Sequence, residues 1–136
     1  MSSAPRRLEL SLLSERFAVA QLPPTADLPL PRPPAGFHSI TRTEDELSVV
    51  CPESDLPENA RAQTGWRALK VHGPFALSEI GVLSALAAPL AEARISLFVI
   101  STFNTDYLLI HAEQLPSAVT ALERAGHRIR QLAATT

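Results

Sequence analysis

The sequence predicts an α+β protein made of two tandem modules of the ferredoxin-like βαββαβ type, the first of them degenerate. Three observations carry this. From residue 65 onward, apolar runs and stretches of helical periodicity alternate in the order strand, helix, strand, strand, helix, strand. The first half echoes part of that order. Six prolines between Pro23 and Pro34 stand where the opening helix of the first copy belongs. Each proline lacks an N–H and crowds the preceding turn, so no helix or central strand survives that density.

Taken in order, residues 8–13 and 17–22 (LELSLL, FAVAQL) read as short strands joined by a turn at Ser14, Glu15 and Arg16. Residues 22–36 form an extended loop that lies on the surface or clamps across it. Residues 38–43 and 47–51 make a second strand pair, turning at Glu44 and Asp45. Residues 57–64 are polar and suit one weak helical turn. Residues 66–72 alternate with period two until Gly73 and Pro74 stop the strand. Ser78 suits the N-cap of a helix whose apolar face is Ile80, Val82, Leu83, Leu86, Ala87 and Leu90, with a kink expected at Pro89.

Residues 95–100 are almost uniformly apolar, as a central strand buried on both faces would be, and residues 107–112 are a second such run. Ser101 to Asp106 make a polar tip between them, suited either to a plain hairpin turn or to a loop facing a ligand. Pro116 fits the start of a second helix lined by Ala118, Val119, Leu122 and Ala125. Gly126 fits its left-handed end. Residues 127–132 give a last strand. Two helices then cover one face of an antiparallel sheet, leaving the other for a partner.

Placing Ile40 on Ile100, an offset of 60 (100 minus 40), lays ITRTEDELSVVCPES over ISTFNTDYLLIHAEQ. Isoleucine, hydroxyl residues, an acidic turn and an apolar run recur in step. Glu46 takes the place of Asp106, while Leu56-Pro57 and Leu115-Pro116 fall one residue apart. The modules are therefore drawn at residues 1–64 and 65–136.

Composition narrows the function. The 136 residues are 46% hydrophobic and 19% charged, enough to form a core. The formal net charge of -2 is spread without Lys or Arg clusters, which argues against nucleic-acid or anionic-membrane partners. The single cysteine, Cys51, excludes an internal disulfide and suits a reducing compartment. No apolar run approaches the roughly 20 residues that span a bilayer, and residues 1–13 lack a signal-like apolar core, so a cytoplasmic protein is expected. His38, His72, His111 and His127 share no metal-binding spacing. There is no nucleophile elbow and no phosphate-binding glycine loop. No catalytic group, metal or cofactor is expected.

Several motifs carry a resemblance. KVHGPF, SEIGVLSAL and ISTFNTDYLLI in the second half resemble the ACT-domain family of amino-acid-binding regulatory modules. The nearest branch holds bacterial double-ACT proteins of unassigned function and the C-terminal half of the CASTOR arginine sensors. FAVAQLPP and ITRTEDELSVVCPE are similar to the companion module of those proteins. The resemblance implies tandem ACT modules, an amino-acid ligand held at a module or subunit interface, and a homodimer joined through its sheets. It implies no enzyme activity.

An α-amino acid presents a carboxylate and an ammonium on one carbon. A helix start supplies clustered N–H donors and a favourable dipole for the carboxylate, here at Ser78, Glu79, Ile80, Gly81 and Val82. Gly81 leaves its backbone open to close approach, or merely packs the helix on the sheet. The ammonium needs an acid. Asp106 is the candidate, with Ser101, Thr102, Phe103, Asn104 and Thr105 around it, unless it only caps its own turn. The alternative is an interaction module that dimerises and has lost its ligand.

Overall fold

The computed structural model describes residues 6–28, 36–76 and 78–131, and groups them into two units. One comprises residues 15–66. The other joins the chain before residue 15 to the chain after residue 66. The strands are β1 (Glu9–Leu12), β2 (Phe17–Leu22), β3 (Ser39–Arg42), β4 (Leu47–Pro52), β5 (Arg61–Val71), β6 (Phe98–Ser101), β7 (Asp106–His111) and β8 (Arg128–Gln131). The helices are α1 (Val82–Glu92) and α2 (Leu115–Arg124).

In the N-terminal unit the strand order is β3-β4-β2-β5, with every pairing antiparallel. Ala20, Leu47, Val49 and Cys51 form its buried face. No α-helix covers that face among the described residues. Ala26 and Leu28 of the proline segment pack there instead, with Leu56 and Ala60. Arg42 ties the segment down by donating to the carbonyls of Pro24 and Ala26 (2.8 Å to the latter). The rest of that segment, residues 29–35, lies outside the described residues. Residues 57–64 are not helical: β5 already begins at Arg61, and a 3-10 turn sits earlier, at Glu53–Asp55.

In the C-terminal unit β6 pairs with β7, β7 with β5, β5 with β1, and β1 with β8. The two helices lie against this sheet. Leu8, Leu10, Leu12, Leu69, Val71, Leu108 and Ile110 meet Val82, Leu86, Leu90, Ala118 and Leu122 in one core. Two sequence expectations change here. Residues 6–14 belong with this unit rather than with a 1–64 module, because β1 inserts between β5 and β8. It runs antiparallel to β5 (Leu10 opposite Val71) and parallel to β8 (Leu10 opposite Ile129), so the sheet is mixed. Period-two alternation names the buried face of a strand but not its neighbours. In addition, β6 pairs only with β7 among the described strands and is half-buried, not central.

Pro89 lies inside α1 without ending it. The carbonyl four residues earlier, Ala85 O, therefore has no proline N–H to accept. His127 replaces it: its Nε2 lies 2.9 Å from Ala85 O, while its Nδ1 accepts the N–H of Leu8 at 3.1 Å. These partners fix the ring as the Nε2–H tautomer. One buried histidine thus repairs the helix and holds the entry to β1.

Candidate ligand groove

The apolar face expected of α1 is only partly right. Val82, Leu86 and Leu90 are buried, but Ile80 precedes the helix and is 87% exposed, and Leu83 is 40% exposed. Ser78 does not cap the helix. Gly81 holds the N-cap position with φ 90 and ψ -3 and has no side chain to cap the helix, while the Ser84 hydroxyl donates to Gly81 O at 3.3 Å. That left-handed backbone favours glycine. A Cβ built at Gly81 meets no atom within 4 Å, so the glycine answers to backbone geometry and open space, not to helix–sheet packing. The first intrahelical bond runs from Ala85 N to Gly81 O. The N–H groups of Val82, Leu83 and Ser84 precede that bond and have no intrahelical acceptor.

Opposite stands the β6–β7 hairpin. Thr102 and Thr105 close its turn: Thr102 N and Oγ1 both reach Thr105 O (2.7 and 3.0 Å), and Thr105 N donates to Thr102 Oγ1. The Oγ1 of Thr105 donates to Val71 O at 2.6 Å, fixing the tip to the end of β5. Asp106 is not the turn's cap. It sits across the strand pair from Ser101, whose hydroxyl donates to Asp106 Oδ1 at 2.5 Å. Phe75 N donates to Asn104 O at 2.8 Å. A Cβ at Gly73 would stand 3.0 Å from that same oxygen, so a side chain there would press on the contact between loop and tip.

Helix start and hairpin tip face each other across a groove of about 590 Å3. Of the residues singled out in the sequence, Glu79, Gly81, Val82, Ser101, Thr102, Phe103, Asn104, Thr105 and Asp106 line it. Ser78 and Ile80 do not. The hydroxyl of Thr105 is committed to Val71. Phe75, Ala76, Leu83, Ser84 and Ala87 complete the lining and were not foreseen. Once the helix is known to start at Val82, the i, i+4 spacing of Leu83 and Ala87 would have placed both on one side. At one end Arg6 pairs with Glu79 at 3.0 Å. No group of three or more potential metal ligands occurs among the described residues.

An ACT-domain family model matches residues 61–124, the stretch that builds this groove. Mammalian cytosolic arginine sensors for mTORC1, subunit 1, align over 96 residues at 36% identity in Bos taurus and 31% in Homo sapiens, covering 65% of this chain and 29% of theirs. Residues 61–124 are an ACT domain. It spans about 29% of the length of those curated relatives. A separate model, described as an N-terminal domain, matches residues 15–59, close to the limits of the N-terminal unit. The crystal structure of an Agobacterium tumefaciens protein is similar over 96% of this ACT protein and 98% of its own chain, at 35% identity and a TM-score of 0.87. The regulatory subunit of aspartate kinase from Thermus thermophilus shares the fold at 10% identity and a TM-score of 0.60, over 86% of this chain and 96% of that one. Among the described residues no helix is long and apolar enough to cross a membrane.

Proposed function

We propose that this ACT protein is a regulatory module that binds a free amino acid in the groove between the Gly81 helix start and the 101–106 hairpin. One observation supports the reading: Val82, Leu83 and Ser84, whose N–H groups have no intrahelical acceptor, line the same cavity as Asp106. The donors and the helix dipole suit the ligand's carboxylate. Asp106, with the carbonyls of the tip, suits its ammonium. The relatives named as arginine sensors support an amino-acid ligand.

The groove is shallow, and its lips are apolar. Leu83 (40% exposed) and Phe103 (79% exposed) line it, and Ile80, next to Gly81 in the chain, is 87% exposed. A second copy of the chain would cover them and close the site, so ligand binding at a subunit interface of a homodimer belongs to the proposal. The same lips also favour a second reading, a module that only dimerises or docks a partner.

A thermal-unfolding screen of the full chain against the common amino acids at millimolar concentration tests both readings. Ligand at 100 times its dissociation constant stabilises the folded state by about 2.7 kcal/mol. Stabilisation by one or more amino acids, lost in a folded Asp106→Ala variant, is the expected result. A flat screen with dimerisation intact would favour the interaction module.

A further inference from the structure

The next step rests on the amino-acid reading of the groove and concerns its specificity. Two carboxylates border the groove, and they are not equivalent. Asp106 accepts a hydrogen bond from the neutral hydroxyl of Ser101. Glu79 is already matched by a full positive charge: Arg6 Nη2 lies 3.0 Å from its Oε2. The same guanidinium reaches Ile80 O through Nη1 at 3.4 Å and stands 5.7 Å from the centroid of the Phe75 ring. A carboxylate, a backbone carbonyl and an aromatic face are the partners a cationic side chain takes from a binding site. Here they form a cation subsite, and the chain's own Arg6 fills it.

We infer that Arg6 is a specificity-determining residue: it occupies the cation subsite and thereby restricts the groove to α-amino acids with uncharged side chains. The charge balance supports this. With Glu79 neutralised, Asp106 is the one carboxylate lining the groove without a cationic partner among the described contacts. A zwitterion needs that acid for its ammonium, which leaves no acid for a second cation on its side chain. Phe75, Ala76, Leu83 and Ala87 instead offer apolar surface to that side chain. Arg6 also holds the advantage of a tether. It sits three residues before β1, which is fixed between β5 and β8. A group on a short tether acts at an effective concentration in the millimolar range, which a free cationic ligand must exceed to replace it.

The test measures dissociation constants by calorimetry for the full chain and for Arg6→Ala, using alanine, serine and leucine as neutral probes and lysine and arginine as cationic ones. The wild type is expected to bind at least one neutral probe and to bind both cationic probes about tenfold more weakly. Arg6→Ala is expected to tighten lysine and arginine by about that factor and to leave the neutral probes unchanged. A second change, Glu79→Gln in the Arg6→Ala background, is expected to abolish the gain. The inference is overturned if the wild type prefers lysine or arginine, or if Arg6→Ala shifts both classes alike or neither. In those outcomes the amino-acid reading itself survives. Absence of binding by both proteins overturns that reading and this inference together. Arg6 and Glu79 lie at the surface, so both variants are expected to fold, and circular dichroism verifies it.

Discussion

The two units are variations on one strand plan, and their differences show what makes a groove. Strands β3 and β4 correspond to β6 and β7, and the 3-10 turns Glu53–Asp55 and Ala112–Gln114 follow in step. Every pair is offset by 59 residues (98 minus 39, 106 minus 47, 112 minus 53). The hairpin turns share three hydrogen bonds. Thr43 N reaches Glu46 O and Glu46 N reaches Thr43 Oγ1, as Thr102 and Thr105 do in the other unit. At this offset Glu46 corresponds to Thr105, and the counterpart of Asp106 is Leu47, which is fully buried. Among its described residues the N-terminal unit therefore keeps the turn but has neither an acid at the Asp106 position nor an α-helix start. A turn motif alone makes a hairpin; an acid beside a helix N-terminus makes a candidate site.

The largest expected effect probes the helices themselves. Leu86, fully buried under α1, is expected to cost about 3 kcal/mol on change to alanine. Leu28, half-buried on the face that lacks a helix, should cost about 1 kcal/mol or less. Equal costs in denaturant unfolding would erase the energetic distinction between the units. Next comes His127→Ala, which leaves Ala85 O and Leu8 N without their ring partner. The expected loss is about 2 kcal/mol, with faster hydrogen exchange at Leu8 than at β2 amides of the other unit.

Gly81→Ala sharpens the comparison at the groove. No atom opposes the added methyl, so the cost is the left-handed backbone alone, about 1–2 kcal/mol. Gly81→Asn should cost less, because asparagine tolerates that conformation better. Similar penalties for alanine and asparagine in thermal unfolding would point to packing instead.

The smallest effect belongs to the N-terminal unit. Burial, and secondarily the charge of Asp55, push the Cys51 thiol above its ordinary range. The folded state then keeps its proton to higher pH than the unfolded state does. Stability is expected to fall as pH rises through the ordinary thiol range and beyond. Cys51→Ala should flatten that slope, as read from denaturation midpoints across alkaline pH. An unchanged slope would assign it to other groups.

Much of the fold was legible in the sequence because it is written in local periodicity. Both hairpins, the helix around Leu86 and Leu90, Pro116 in the first turn of α2 and left-handed Gly126 (φ 99) just after it follow from spacing and backbone preference. The turn from Ser101 to Asp106 was legible for the same reason, since acid, amide and hydroxyl residues fall together there; that these residues line a groove was not. The repeat was visible too, though one residue out of register. A side-by-side reading scores residue types, whereas the offset of 59 is set by paired hydrogen bonds.

What the sequence by itself determined is each segment's conformation and which face of it is apolar, since those depend on neighbours within a few positions. Only the tertiary structure decided which strands lie side by side, and so placed β1 between β5 and β8. It alone brought His127 to the carbonyl freed by Pro89, and Arg6 to Glu79 and Phe75. These partners are 42, 73 and 69 residues apart (127 minus 85, 79 minus 6, 75 minus 6). No periodicity reaches that far. Their meeting depends on strand order, which alternation leaves unspecified and packing of the whole unit resolves.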